Sequence, residues 1–144
     1  MQVNMASWTI FACGIVAMFV VFECCVADPV LVGGWTKHSV GDNALFEELA
    51  HFAVSRQVGD REFFDTVLEL LEAESQVVAG TNYRIKFKTT ESTCRVTDTY
   101  SKEVCLPKSR ETVKDTCSAV IYDVPWLNER SVSSFTCEGN TVST

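Results

Sequence analysis

Several absences narrow this chain before anything in it is read. Its 144 residues carry only two histidines, His38 and His51, and no Cys-x-x-Cys pair. A metal centre of the usual nitrogen and sulfur ligands has little to draw on, and no cofactor or metal is expected. Basic residues number twelve against nineteen acidic ones, and nowhere do two stand side by side. A net charge of −7 without a basic run argues against nucleic acid or an anionic membrane surface as partner. No Asn-x-Ser/Thr sequon occurs, which removes N-glycosylation as an expectation. There is no repeat, no low-complexity tract, and no linker long enough to divide off a second domain.

Long apolar runs are also scarce, with one exception. "SWTIFACGIVAMFVVFECCVA", Ser7 to Ala27, is broken only by Glu23. It ends in Cys25-Val26-Ala27 before Asp28, small residues of the kind a signal peptidase reads. Its core, Trp8 to Phe22, has 15 residues, short of the ~20 that a spanning helix needs. Residues 1–27 are therefore expected to be a signal peptide cleaved near Ala27–Asp28, not a transmembrane anchor. Residues 28–144 then form one secreted domain with a net charge of −6, from twelve basic and eighteen acidic residues.

Cleavage removes Cys13, Cys24 and Cys25 and leaves Cys94, Cys105, Cys117 and Cys137. An even count in a secreted chain implies disulfides. Four cysteines allow three pairings, and strand geometry chooses. If "TCSAVIYDV" and "RSVSSFTC" form a hairpin turning near Leu127, residues whose numbers sum to 254 face each other, as Cys117 and Cys137 do. Cys94 then pairs with Cys105.

The pattern elsewhere gives further elements. "DPVLVGG", Asp28 to Gly34, reads as a flexible arm, and "WTKHSV" begins a first strand. "GDNALFEELAHFAVSRQVGD" reads as a helix capped by Asp42 or Asn43 and ended by Gly59. Its apolar stripe is Leu45, Leu49 and Phe52 with Phe46, Ala50 and Ala53 beside them. His51 falls on the face with Glu47, Glu48 and Ser55 and is expected to be solvated. Tyr83, Ile85 and Phe87 alternate with Arg84, Lys86 and Lys88, the signature of a half-buried strand over 81–88. "TTESTCRVTDTYSKEVCLPKSRET" reads as an irregular excursion. "EFFDTVLELLEAES" has helical propensity and helical apolar spacing, so local signals favour helix there.

Three apolar groups lie outside these elements, where turns are ordinarily polar. They are Leu31-Val32 before Gly33, Val77-Val78-Ala79 before Gly80, and Pro125-Trp126 in "VPWLNE". Each alone could fold back onto a core. Together they suggest an interaction edge, with the tryptophan as its strongest point.

"LVGG", "QVVAG" as Gln-x-Val-x-Gly, and the late "PW", with "FAV" at Phe52–Val54, "YDVPW" and four ordered cysteines, resemble the secreted two-disulfide (type 2) cystatins. These are inhibitors of papain-like cysteine proteases. The resemblance implies an α+β, cystatin-like fold, one long helix packed across a five-stranded antiparallel sheet. It makes residues 67–75 a strand against their propensity. It also implies a wedge for the protease groove, formed by the arm (Leu31, Val32, Gly33), a first loop (Gln76, Val77, Val78, Ala79, Gly80) and a second (Pro125, Trp126). The implied action is reversible, tight-binding, competitive occlusion of cathepsin L-like and related enzymes by a monomer.

Two departures from the family pattern stand out. Val58-Gly59-Asp60 lacks the asparagine that some members use against legumain, and Trp35 replaces a proline common after the arm glycines. Two rival classes remain. An enzyme would need a Cys-His or metal site that this residue set cannot assemble once the cysteines are paired. The other rival is a cystatin-fold secreted binding protein that inhibits nothing; retention of all three segments argues against it.

Overall fold

The computed structural model describes residues 33–140. The expected signal peptide, Leu31 and Val32 lie outside the described residues. None of the described helices is long and apolar enough to cross a membrane.

The helix, α1, runs Ala44–Ser55. Of the two candidate caps it uses Asn43, whose extended backbone lets Oδ1 accept from the Leu45 N–H at 2.9 Å. It stops short of Gly59. The Arg56 and Gln57 N–H groups turn back to the Ala53 and Val54 carbonyls, and Ser55 Oγ donates to the Phe52 carbonyl at 2.7 Å. The buried face is Phe46, Leu49, Ala50, Ala53 and Val54, while Leu45 and Phe52 sit only partly covered at its margins. The stripe is thus rotated toward Val54 from the expected one. Below it lie Ala73, Ile85, Phe87, Cys117, Ala119 and Ile121 of the sheet. Each large side chain fully enclosed here is worth ~1.5–3 kcal/mol.

Five antiparallel strands follow the order β1-β2-β3-β4-β5: Thr36–His38, Phe63–Val78, Gly80–Arg95, Asp115–Val124 and Glu129–Cys137. The segment with helical propensity is strand β2, as the family resemblance implies, and it begins earlier than expected, at Phe63. Its acidic residues explain part of this outcome. Glu69, Glu72 and Glu74 stand directly opposite Lys88, Lys86 and Arg84 of β3, where opposite charges stabilise a strand pair. Three register shifts, between Phe63 and Glu72, interrupt the β2 ladder; such irregularities bend a strand.

The segment read as an irregular excursion is partly strand. β3 continues through Thr89, Thr90, Ser92 and Cys94, all buried, and the irregular connection begins only at Val96. That connection folds back on the strand end. Thr93 donates to Leu106, Lys108 to Glu91 and Lys114 to Thr89, each backbone to backbone at 2.8–2.9 Å. Cys94–Cys105 closes it, and Cys117–Cys137 joins β4 to β5, the two disulfides expected. The sum-254 register holds from Cys117↔Cys137 to Val120↔Ser134. A bulge at Ser133 then shifts it, so that Ile121 faces Val132.

His51 is not solvated. Its side chain is 12% exposed, its Nδ1 lies 2.6 Å from the Tyr100 hydroxyl, and that hydroxyl lies 3.1 Å from Thr66 Oγ1. The connection after β3 covers the helix face there, which the helical wheel alone could not reveal. Burial holds the imidazole below its ordinary pKa, against the opposing pull of Glu47.

Candidate functional site

The two apolar hairpin loops and the root of the arm, from Gly33 on, meet at one end of the sheet. The first loop is the β2–β3 hairpin, whose ladder closes to Val78↔Gly80 with only Ala79 between. Val77 is 68% and Val78 45% exposed. Gly80 is buried at φ +144°, and an added Cβ would stand 2.9 Å from Tyr122 Cε2 and from Val124 Cγ2. A side chain is excluded there by both backbone and neighbours.

The second loop lies alongside because β3 pairs with β4, Thr81 opposite Asp123. Pro125–Leu127 form one 3₁₀ turn with the proline at its start, and Asn128 closes it in the left-handed region at φ 53°, ψ 37°. Asn128 N–H donates to the Pro125 carbonyl at 3.1 Å. This presents Trp126, 70% exposed, and Leu127, 60% exposed. The return strand is anchored to the body: Arg130 donates to the buried Asp123 at 2.8 Å and to Glu48 of α1 at 2.6 Å. The Asp123 hydrogen bond, opposed by burial, raises the guanidinium pKa further.

The arm's root arrives beside the first loop. β1 runs antiparallel to β2 with Thr36 opposite Ser75, so the chain before Thr36 heads toward Gln76 and Val77. The Gln76 side-chain amide donates to the Gly33 carbonyl, and its Oε1 accepts from Asn82 at 3.2 Å. Trp35, standing where the family pattern has proline, lies under the Arg84 guanidinium at 3.9 Å. At Gly33, φ +103°, an added Cβ would meet no described residue within 4 Å.

Of the expected site residues, the structure thus brings together Gly33, Gln76, Val77, Val78, Ala79, Gly80, Pro125 and Trp126. Sequence reasoning missed Leu127, whose apolar character next to Pro125-Trp126 was a usable signal. It also missed Tyr122, whose hydroxyl donates to the Ala79 carbonyl at 2.7 Å. Only the strand register reveals that contact. Neither Gln76–Asn82 nor Val124–Asn128 contains a charged residue, so this edge can lose its water without stranding an ion. All four described cysteines are in disulfides, and among the described residues no three His, Cys, Asp or Glu side chains gather as a metal site.

Comparison with known proteins gives consistent findings. The family described as Cystatin domain matches residues 33–126. Mialostatin from Ixodes ricinus is 53% identical over 110 residues, 75% of this chain and 77% of that protein. Cystatin-2 from Ornithodoros moubata is 50% identical over 107 residues, 74% of this chain and 82% of that one. The crystal structure of mialostatin, a gut cystatin from the hard tick Ixodes ricinus, matches with a TM-score of 0.70 at 50% identity, over 73% of this chain and 97% of its own. That of a salivary cystatin from the soft tick Ornithodoros moubata matches with a TM-score of 0.69 at 48% identity, over 74% and 97%. The chain belongs to the cystatin family, as a two-disulfide (type 2) cystatin, an inhibitor of cysteine proteases and not an enzyme.

Proposed function

We propose that this cystatin is secreted after cleavage near Ala27–Asp28 and blocks papain-like cysteine proteases, cathepsin L-like enzymes among them. Inhibition is reversible, competitive and tight. The first loop enters the centre of the protease groove, Pro125-Trp126 with Leu127 covers the primed side, and Val32 and Leu31 of the arm offer side chains to the non-primed pockets.

The observation that carries this reading is the shared, charge-free apolar edge, with Val77 68% and Trp126 70% exposed at adjacent hairpin tips. A monomeric protein rarely leaves such groups in water without a partner. A protease groove would supply the apolar cover they lack. Both tips are short and braced, so little conformational freedom is lost on docking, which favours affinity. The edge presents backbone and apolar side chains, so its action is occlusion and not chemistry.

Titration of papain and a cathepsin L-like enzyme tests the proposal. The protein beginning at Asp28 is expected to inhibit both competitively. Deletion of residues 28–33 is expected to weaken inhibition, and Trp126→Ala to weaken it by about 2 kcal/mol, roughly thirtyfold. Inhibition constants unchanged by both variants would show that this edge is not the contact surface. Legumain, assayed in the same panel, is expected to escape nanomolar inhibition, because Val58-Gly59-Asp60 offers no asparagine. Inhibition of legumain at that level would defeat this part.

A further inference from the structure

Tyr122 lies outside the apolar tips and outside the segments whose exposure defines the edge. Yet it touches the first loop twice. It stands on β4, paired with Asn82 of β3, which in turn pairs with Gln76 of β2. In antiparallel ladders directly paired residues send their side chains to the same face. Gln76, Asn82 and Tyr122 therefore form one polar row across three strands, on the face away from α1. At one end of the row Gln76 holds the Gly33 carbonyl of the arm. At the other end the Tyr122 hydroxyl donates to the Ala79 carbonyl at 2.7 Å.

The chemistry at Ala79 makes this contact more than ornamental. Ala79 is the single residue between Val78 and Gly80, and its carbonyl sits at the tip, beyond the last paired residues. An unbraced tip of this kind frays at little cost. The Tyr122 ring meanwhile lies against Gly80, with a notional Cβ only 2.9 Å from its Cε2. Ring and hydroxyl thus each contact the tip, at Gly80 and at Ala79. Both contacts come from the strand that leads, three residues later, into Pro125.

We propose that Tyr122 is a positioning residue of the inhibitory edge: it fixes the tip of the first loop on the sheet, so that this loop docks preformed. This rests on the protease-binding reading above. Its phenol acts through the loop and makes no contact with the protease.

The test is Tyr122→Phe, which keeps the ring against Gly80 and removes only the hydroxyl. Against papain the dissociation rate is expected to rise about three- to tenfold, the scale of one hydrogen bond, with the association rate changed less than twofold. The same substitution is then made in two backgrounds. With Val77→Ala, which weakens the first loop's own contact, the effect of losing the hydroxyl is expected to shrink below twofold. With Trp126→Ala it is expected to keep its full size, because the second loop is not what the hydroxyl holds. An effect equal in both backgrounds would mean that the phenol touches the protease directly. A fall in melting temperature with equal losses everywhere would mean a general structural role. Either result overturns the proposal, as does a Tyr122→Phe protein that inhibits like the parent. Failure of the parent protein to inhibit papain or a cathepsin L-like enzyme would instead remove the protease-binding reading, and this role with it.

Discussion

At the scale of single residues, two glycines at the same edge do different work. Gly33, at φ +103° with no described residue within 4 Å of an added Cβ, needs its freedom only in the backbone. Gly80 is constrained twice, by φ +144° and by Tyr122, Val124 and the Asp123 carbonyl within about 3 Å of any added Cβ. An alanine there must push β4 away or tilt the hairpin, at a cost of about 1–3 kcal/mol. Gly80→Ala is therefore expected to lower the melting temperature by roughly 4 °C or more and to weaken papain inhibition at least tenfold. Gly33→Ala meets only the backbone strain of φ +103°, with no described neighbour in its way, and is expected to lower the melting temperature less than Gly80→Ala does. Thermal melts of the two variants side by side would decide this; equal shifts would show that packing around Gly80 is not the constraint. The exposed residues are the part of the site most legible in the sequence. Val77, Val78 and Trp126 announce themselves as apolar groups at turns, whereas Tyr122 and Asn82 matter only through register.

At the scale of elements, what was legible depended on whether a segment's partner lies within the same pattern. Helix α1 and the alternation of β3 over Tyr83–Phe87 carry their own apolar period, and both are found. β2 does not: its Leu and Glu favour helix locally, and only pairing with the basic row of β3 and the family pattern make it a strand. The end of β3 is illegible for another reason. Thr89, Thr90 and Ser92 are polar side chains that are nonetheless buried, so no hydrophobic period marks them. His51 belongs to the same blind spot, since the connection's Tyr100 reaches it from outside the helix. This contact joins α1, β2 and the connection through His51, Tyr100 and Thr66. Around the imidazole stand Glu47 on α1 and Lys102 and Glu103 on the connection, and burial outweighs their net effect in holding its pKa below 6.5. Burial also pushes the Tyr100 phenol up, so it remains a neutral hydroxyl at physiological pH. The unfolded chain binds a proton to this histidine more readily than the folded one does. Stability is then fully present above the unfolded value, falls as pH drops through 6.5, and levels off below the lowered folded value. Denaturation midpoints measured from pH 7.5 to 5 are expected to decline over this window, and His51→Gln is expected to flatten that part of the decline. An identical slope in the variant would assign the decline to other groups.

At the scale of the whole molecule, the sheet separates two poles. The inhibitory edge lies where β2 ends and β3 begins; the Val96–Lys114 connection, closed by Cys94–Cys105, lies where β3 ends and β4 begins. β3 spans 16 residues, which at about 3.3 Å per residue sets the poles roughly 50 Å apart along the strand. Between them runs a continuous core under α1, and no loop crosses from one pole to the other among the described residues. Changes at distant, independent sites add without coupling, so stability and inhibition should separate by pole. Replacing both Cys94 and Cys105 by serine removes a loop closure worth about 2–4 kcal/mol and frees the connection. The remaining Cys117–Cys137 bridge still joins β4 to β5 behind the second loop. The expected result is a lower denaturation midpoint with papain inhibition within twofold of the parent, measured at a temperature where both proteins are folded. Trp126→Ala should do the reverse, weakening inhibition while the melting temperature holds, because its side chain is 70% exposed and supports no core. If the double serine variant lost inhibition in proportion to its stability, the far pole would have to shape the edge through the sheet. The two ends would then be one device.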